Sequence, residues 1–204
     1  MAHNLAPLPQ PGLPVFPGFT ATKPETFLIK GRDIMYNKAL ALISFSTPTG
    51  EAGSPFLEIK EDKRKEISFR TMDGTEVMRI VKETHPWSGR GTEYHGMRGD
   101  GNEVWYLKLH TGLRGTDYNL TINDPSLSSH NFQIQNKVNN QDKGILMNGN
   151  PVATMSRHEQ WSHVNRLDLV HVAPGMDILL ALGVAWVRVD KQAKDAKTAI
   201  SAAT

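Results

Sequence analysis

The fourteen residues Met176-Asp177-Ile178-Leu179-Leu180-Ala181-Leu182-Gly183-Val184-Ala185-Trp186-Val187-Arg188-Val189 restrict what this chain can fold into more than any other stretch. Asp177 and Arg188 are their only charges, and both lie near the ends. Pro174 and Gly175 break the chain just before the run, and Asp177 is a residue type that caps a helix start. As a helix the run would be about 21 Å long. A bilayer core of about 30 Å needs roughly twenty apolar residues, so a membrane span is the weaker reading. Ile178, Leu179, Leu180, Leu182, Val184, Trp186 and Val187 point to every side of such a helix. A helix apolar all round has to be enclosed all round.

The preceding residues supply strands to do the enclosing. Runs of β-type residues occur at 26–29, 40–46, 56–60, 66–70, 76–81, 104–109, 118–122, 132–135, 144–147, 151–155 and 167–172. Asp73-Gly74 and Asn148-Gly149-Asn150 lie between neighbouring runs and carry hairpin chemistry. Such spacing predicts an antiparallel, mainly β domain of about eleven strands. A closed barrel threaded by the helix buries the apolar run and removes exposed sheet edges. The competing arrangement is a β-sandwich in which the run is one more buried strand.

Outside those strands the expectations are simple. Residues 1–24 hold Pro7, Pro9, Pro11, Pro14, Pro17 and Pro24, half of the chain's twelve prolines, and read as a flexible leader. The sharper alternative is a docking peptide for a proline-recognising groove, using Pro11-Gly12-Leu13-Pro14 or Pro14-Val15-Phe16-Pro17. Residues 85–102, with five glycines, read as a long mobile loop. Residues 191–204 are rich in Ala and Lys without an apolar stripe, and are expected to fray. The domain proper is placed at 25–190.

The segment Asn150-Pro151-Val152-Ala153-Thr154-Met155-Ser156-Arg157, followed by Val172-Ala173-Pro174-Gly175-Met176-Asp177 and the apolar run, resembles the LURP-one-related family. That family belongs to the tubby C-terminal-like superfamily, with the phospholipid scramblases. Asp33-Ile34-Met35 and Phe56-Leu57-Glu58-Ile59 also look like family strands, and Asp190 like the acidic residue closing the helix. The resemblance implies a twelve-stranded barrel around a central helix, over residues 27–190. The chain departs from the family at Arg166-Leu167-Asp168-Leu169-Val170, where an aromatic is common. It lacks the Cys-rich palmitoylation stretch of scramblases.

Composition narrows the function. A net charge of +2 gives no global field for nucleic acid. The absence of cysteine excludes disulfides, thiolate metal sites and a thiol nucleophile, and fits a reducing compartment. No signal-peptide pattern opens the chain, so a cytoplasmic protein, peripheral to membranes at most, is expected. Eight histidines invite a metal reading, but none stands at metal-ligand helical spacing, with His85, His95 and His110 around the glycine-rich stretch and His158 and His163 bracketing Trp161. No hydrolase, phosphate-loop or dinucleotide motif occurs. No catalytic residue, metal or cofactor is therefore expected, and the chain is read as a monomer and not as an enzyme. The usable surface feature is the charged link Lys60-Glu61-Asp62-Lys63-Arg64-Lys65. Lys60, Lys63, Arg64 and Lys65 on a barrel rim could meet an anionic lipid headgroup, the phosphoinositides in particular. The alternatives are a protein-interaction adaptor using the leader or the 85–102 stretch, and a scramblase-like membrane protein.

Overall fold

A computed structural model describes residues 4–31, 39–85, 91–112, 115–127, 129–138, 142–157 and 167–202. Twelve strands run in chain order: β1 (Glu25–Gly31), β2 (Ala39–Ser46), β3 (Ala52–Lys63), β4 (Glu66–Thr71), β5 (Glu76–His85) and β6 (Gly91–Arg98), then β7 (Glu103–Gly112), β8 (Gly115–Ile122), β9 (Phe132–Val138), β10 (Asp142–Met147), β11 (Asn150–Arg157) and β12 (Leu167–Val172). Each pairs antiparallel with the next, and β1 pairs antiparallel with β12, so the sheet closes on itself. Closure rules out the sandwich. Phe27 shows the closure in one residue, standing opposite Val170 of β12 and Phe45 of β2. Among the described residues the ladder is thinnest between β8 and β9, where Tyr118 opposite Ile134 is the single aligned pair.

The apolar run opens helix α1 (Ile178–Ala202). Asp177 caps it, its Oδ1 accepting the Leu180 N–H at 2.9 Å. Leu179, Leu180, Ala181, Leu182, Val184 and Val187 are fully buried, and Ile178 nearly so; Trp186 is half-buried. Their enclosure comes from inward-facing strand residues such as Phe27, Ile43, Leu57, Ile59, Phe69, Met78, Leu107, Ile145 and Val170. Alternation along each strand sends every second side chain to the helix. Trp105 of β7 fits because glycines flank it. A Cβ on Gly96 would lie 1.9 Å from the Trp105 indole, and one on Gly183 of α1 would lie 2.9 Å from it.

Three sequence expectations need correction. Residues 85–102 are not one long loop, since Gly91–Arg98 is β6 and His85 ends β5. Gly91, Gly96 and Gly99 mark close packing, with Gly96 under Trp105, and the low apolar content of the stretch hides the alternation. Residues 4–24 are not a flexible leader. Leu8, Leu13, Val15, Phe16 and Ala21 are buried in the barrel's core. The prolines remove donors, but several of the remaining N–H groups find carbonyls in the link from β12 to α1. Leu8 N–H donates to Pro174 O at 2.9 Å, Leu13 N–H to Gly175 O at 2.7 Å and Ala21 N–H to Met176 O at 2.9 Å. The tail is not frayed to Thr204 from Lys191 onward, because α1 runs on to Ala202. Ala and Lys have high helix propensity, and Lys191 pairs with Asp195 one turn on. Asp190 accordingly lies inside the helix rather than closing it. Asp33-Ile34-Met35, His158, Trp161, His163 and Arg166 lie outside the described residues.

Candidate functional site

The up-and-down topology sorts the turns onto two ends of the barrel. The leader end holds residues 47–51, 72–75, 99–102, 123–127, 129–131 and 148–149, and the start of α1 at Pro174, Gly175 and Asp177. Its turns carry Glu51, Asp73, Asp100 and Asp124 and contain no Lys or Arg. Turn hydrogen bonds lower the carboxyl pKa of Asp73 (Thr71 and Thr75), Asp100 (Asn102) and Asp124 (Ser126), so these acids stay charged.

Asp177 is fully buried at this end and does two things at once. One oxygen caps α1, and the other accepts the Phe16 N–H at 2.6 Å, tying the leader to the helix. Arg98 of β6 holds the same segment through two hydrogen bonds to Val15 O, at 2.6 and 3.2 Å. Burial pushes the Asp177 carboxyl up to about 7, against the backbone N–H groups of Phe16, Leu180 and Leu179 and the charge of Arg98. Between 3.8 and about 7 the folded chain therefore holds a proton that the unfolded chain releases. That contribution to stability is complete below 3.8 and is lost as pH rises through about 7. We expect the stability advantage of the wild type over Asp177→Asn to fall by roughly 2–3 kcal/mol between about pH 5 and pH 8. Urea titrations across that range check it, and a pH-independent difference would refute it.

The opposite end carries a basic turn among the described residues. Lys63 ends β3 and Arg64 and Lys65 form the turn to β4, which puts the three together on the rim. Lys65 adopts a φ of 72°, its carbonyl accepts the Lys82 N–H at 2.9 Å, and its ammonium donates to Thr84 Oγ1 at 2.9 Å. The turn is thereby fastened to β5. Lys63 is 72 % exposed and lies 3.6 Å from Glu66. Lys60 is set apart on the outer wall of β3, 3.0 Å from Glu58. The four sequence-predicted cations thus divide into three on the rim and one on the wall.

Below that rim, α1 leaves the barrel through a polar collar. Asp190 accepts from Lys82 Nζ at 2.5 Å and from the Tyr94 hydroxyl at 2.6 Å, and Lys82 lies 5.5 Å from the Tyr94 ring centroid. Burial first, then the Asp190 charge, raises the Tyr94 pKa strongly, so the phenol remains a donor. Arg188 is buried, stacks over Tyr118 at 4.7 Å and reaches Gln135 O at 3.4 Å. It bridges β8 and β9 where their ladder is thinnest. Burial lowers the Arg188 pKa and raises that of Tyr118.

On the outer wall, sequence reasoning missed a cluster. Glu83 and Glu93 stand directly opposite on β5 and β6, and Glu93 stands opposite Lys108 of β7. His85 Nε2 lies 3.3 Å from a carboxylate oxygen of each Glu, and Lys108 Nζ lies 3.7 Å from Glu93. The alternation of Glu83 with His85 was visible, but its meaning depended on recognising β6. Elsewhere, a cleft of 160 Å³ between the leader and the β10–β11 turn is lined by Leu8, Pro9, His130, Met147, Asn150 and Val152. Small-molecule sites usually occupy about 300–1,000 Å³, so this cleft is small for one.

Comparisons with known proteins bear on the barrel as a whole. The family model described as LURP-one-related matches residues 37–188 of the 204. An X-ray structure of a protein from Arabidopsis thaliana superposes with a TM-score of 0.58 at 15 % identity, covering 89 % of this chain and 99 % of that one. That likeness concerns the fold. A search of curated proteins finds no match.

Proposed function

The chain belongs to the LURP-one-related family, and from that premise we propose that it is a non-catalytic binding module that docks its basic end on anionic phospholipid, at the cytoplasmic face of a membrane. The observation that supports this reading is the separation of charge along the barrel. The Lys63-Arg64-Lys65 rim stands at one end, and the Lys- and Arg-free acidic turns stand at the other. Such a molecule would orient itself in the field of an acidic bilayer with the basic rim inward. Lys194, exposed on α1 beyond the collar, adds to the same end. The helix fills the lumen, so recognition falls to the surface, and a phosphoinositide headgroup offers the densest charge for a short basic turn. Among the described residues no helix is long and apolar enough to cross a membrane, and attachment is proposed through the rim.

Each basic residue near an acidic surface contributes about 1 kcal/mol, so three make a difference of about 3 kcal/mol, on the order of 100-fold. Glu66 beside Lys63 reduces that somewhat. Replacing Lys63, Arg64 and Lys65 together with Ala should therefore weaken co-sedimentation with phosphoinositide vesicles by about 30-fold or more. Lys23→Ala at the leader end should leave it unchanged. Undiminished binding by the triple variant would remove the rim from the proposal.

A further inference from the structure

We propose that Glu83, His85 and Glu93 form a site for a divalent transition-metal ion of the zinc type on the outer wall of β5 and β6. Three observations meet there. The ligand atoms of the three side chains all lie within 4.8 Å of one another. His85 Nε2 is 3.3 Å from an oxygen of each glutamate. Nitrogen and oxygen ligands about 2.1 Å from a tetrahedral zinc lie about 3.4 Å apart, so these separations already match the edges of a coordination polyhedron.

The second observation is the burial of Glu93. It points away from the lumen, since its neighbour Tyr94 faces inward to Asp190, yet its side chain is only 1 % exposed. A carboxylate removed from water is stabilised by positive charge close by, which Lys108 and His85 can supply here and which a divalent ion would supply more strongly. The third is register. Glu83 and Glu93 are direct cross-strand partners, an arrangement of like charges that destabilises a sheet unless a cation lies between them. His85, two residues along the same face as Glu83, brings its imidazole to that point. Glu83 is 50 % exposed and leaves the cluster open to solvent.

One imidazole with two carboxylates is a donor set suited to zinc and its divalent neighbours, with water completing the coordination. Lys108, 3.7 Å from Glu93, is a resident cation with which a metal would compete for that carboxylate. This gives the site a competitor and the proposal a distinctive test.

Isothermal titration of the full chain with zinc chloride, after chelator treatment and dialysis, should show one equivalent bound, with a rise in Tm. Glu83→Gln and His85→Ala should each weaken binding at least about tenfold. Lys108→Met should tighten it severalfold by removing the competing charge. Glu93→Gln should behave like the other ligand variants. If that buried substitution does not fold, half-exposed Glu83 carries the test. Absence of one-to-one zinc uptake by the wild type would overturn the proposal. So would unchanged affinity in Glu83→Gln and His85→Ala, or a Lys108→Met chain that loses stability without gaining affinity, which is the behaviour of a plain ion-pair cluster.

Discussion

Leu180→Asp should abolish folding. Leu180 is fully buried in α1, in the part of the helix surrounded by the barrel wall. An aspartate there would place a charge among Leu, Ile, Met and Phe side chains with no partner, and desolvation would cost it several kcal/mol even if it took up a proton. Loss of the leucine packing adds about 2–5 kcal/mol. Together these reach the whole stability of an ordinary domain, about 5–15 kcal/mol. The variant should give no cooperative unfolding transition and should be recovered as aggregate. Lys194→Asp, on the exposed continuation of the same helix, should change stability by less than about 0.5 kcal/mol. A soluble Leu180→Asp chain with a wild-type melting curve would mean that α1 is not the core.

Phe16→Ala should lower stability by about 4 kcal/mol, the usual range for a buried Phe being roughly 3–5. Phe16 lies in a segment whose prolines read as disorder, yet it ranks among the largest fully buried side chains. Alanine keeps the N–H that donates to Asp177, so the loss measures side-chain packing alone. Urea unfolding reads it directly. A change within about 0.5 kcal/mol would mean that the segment does not pack as described.

These two residues also mark what was legible in the sequence. The burial of the run was plain because thirteen consecutive positions before Val189 carry only two charges, and no surface can absorb such a stretch. Whether it was helix or strand stayed open on pattern alone. Eleven strands were readable because apolar and β-branched residues alternate between turn signals. β6 was not readable, because its inward positions are Tyr94 and Gly96. One offers a hydroxyl to Asp190 and the other yields its space to Trp105. A residue chosen to make room for a neighbour seventy or more positions away, as Gly183 does for Trp105, leaves no local pattern. The leader failed for a related reason. Proline spacing reports lost donors, but the acceptors that hold residues 8–21 are carbonyls at 174–176 and the Asp177 carboxylate.

The site followed the same division. Lys63, Arg64 and Lys65 could be placed on a turn from sequence, since charge between two strands is a local signal. The collar of Lys82, Tyr94 and Asp190 and the cluster of Glu83, His85 and Glu93 join strands through register, and register appears only once the barrel closes. The resemblance to the LURP-one-related family supplied the closure that periodicity alone left open between barrel and sandwich.

Whether the basic end is a docking surface is decided most directly by flotation of the full chain with three kinds of vesicle. These are neutral phosphatidylcholine alone, the same lipid with phosphatidylserine, and the same lipid with a phosphoinositide. Binding should be absent from neutral vesicles, present on anionic ones and strongest on phosphoinositide, and it should weaken as salt shortens the reach of the charges. Equal recovery with neutral and phosphoinositide vesicles, or no recovery with either, would contradict a membrane role for the Lys63-Arg64-Lys65 rim.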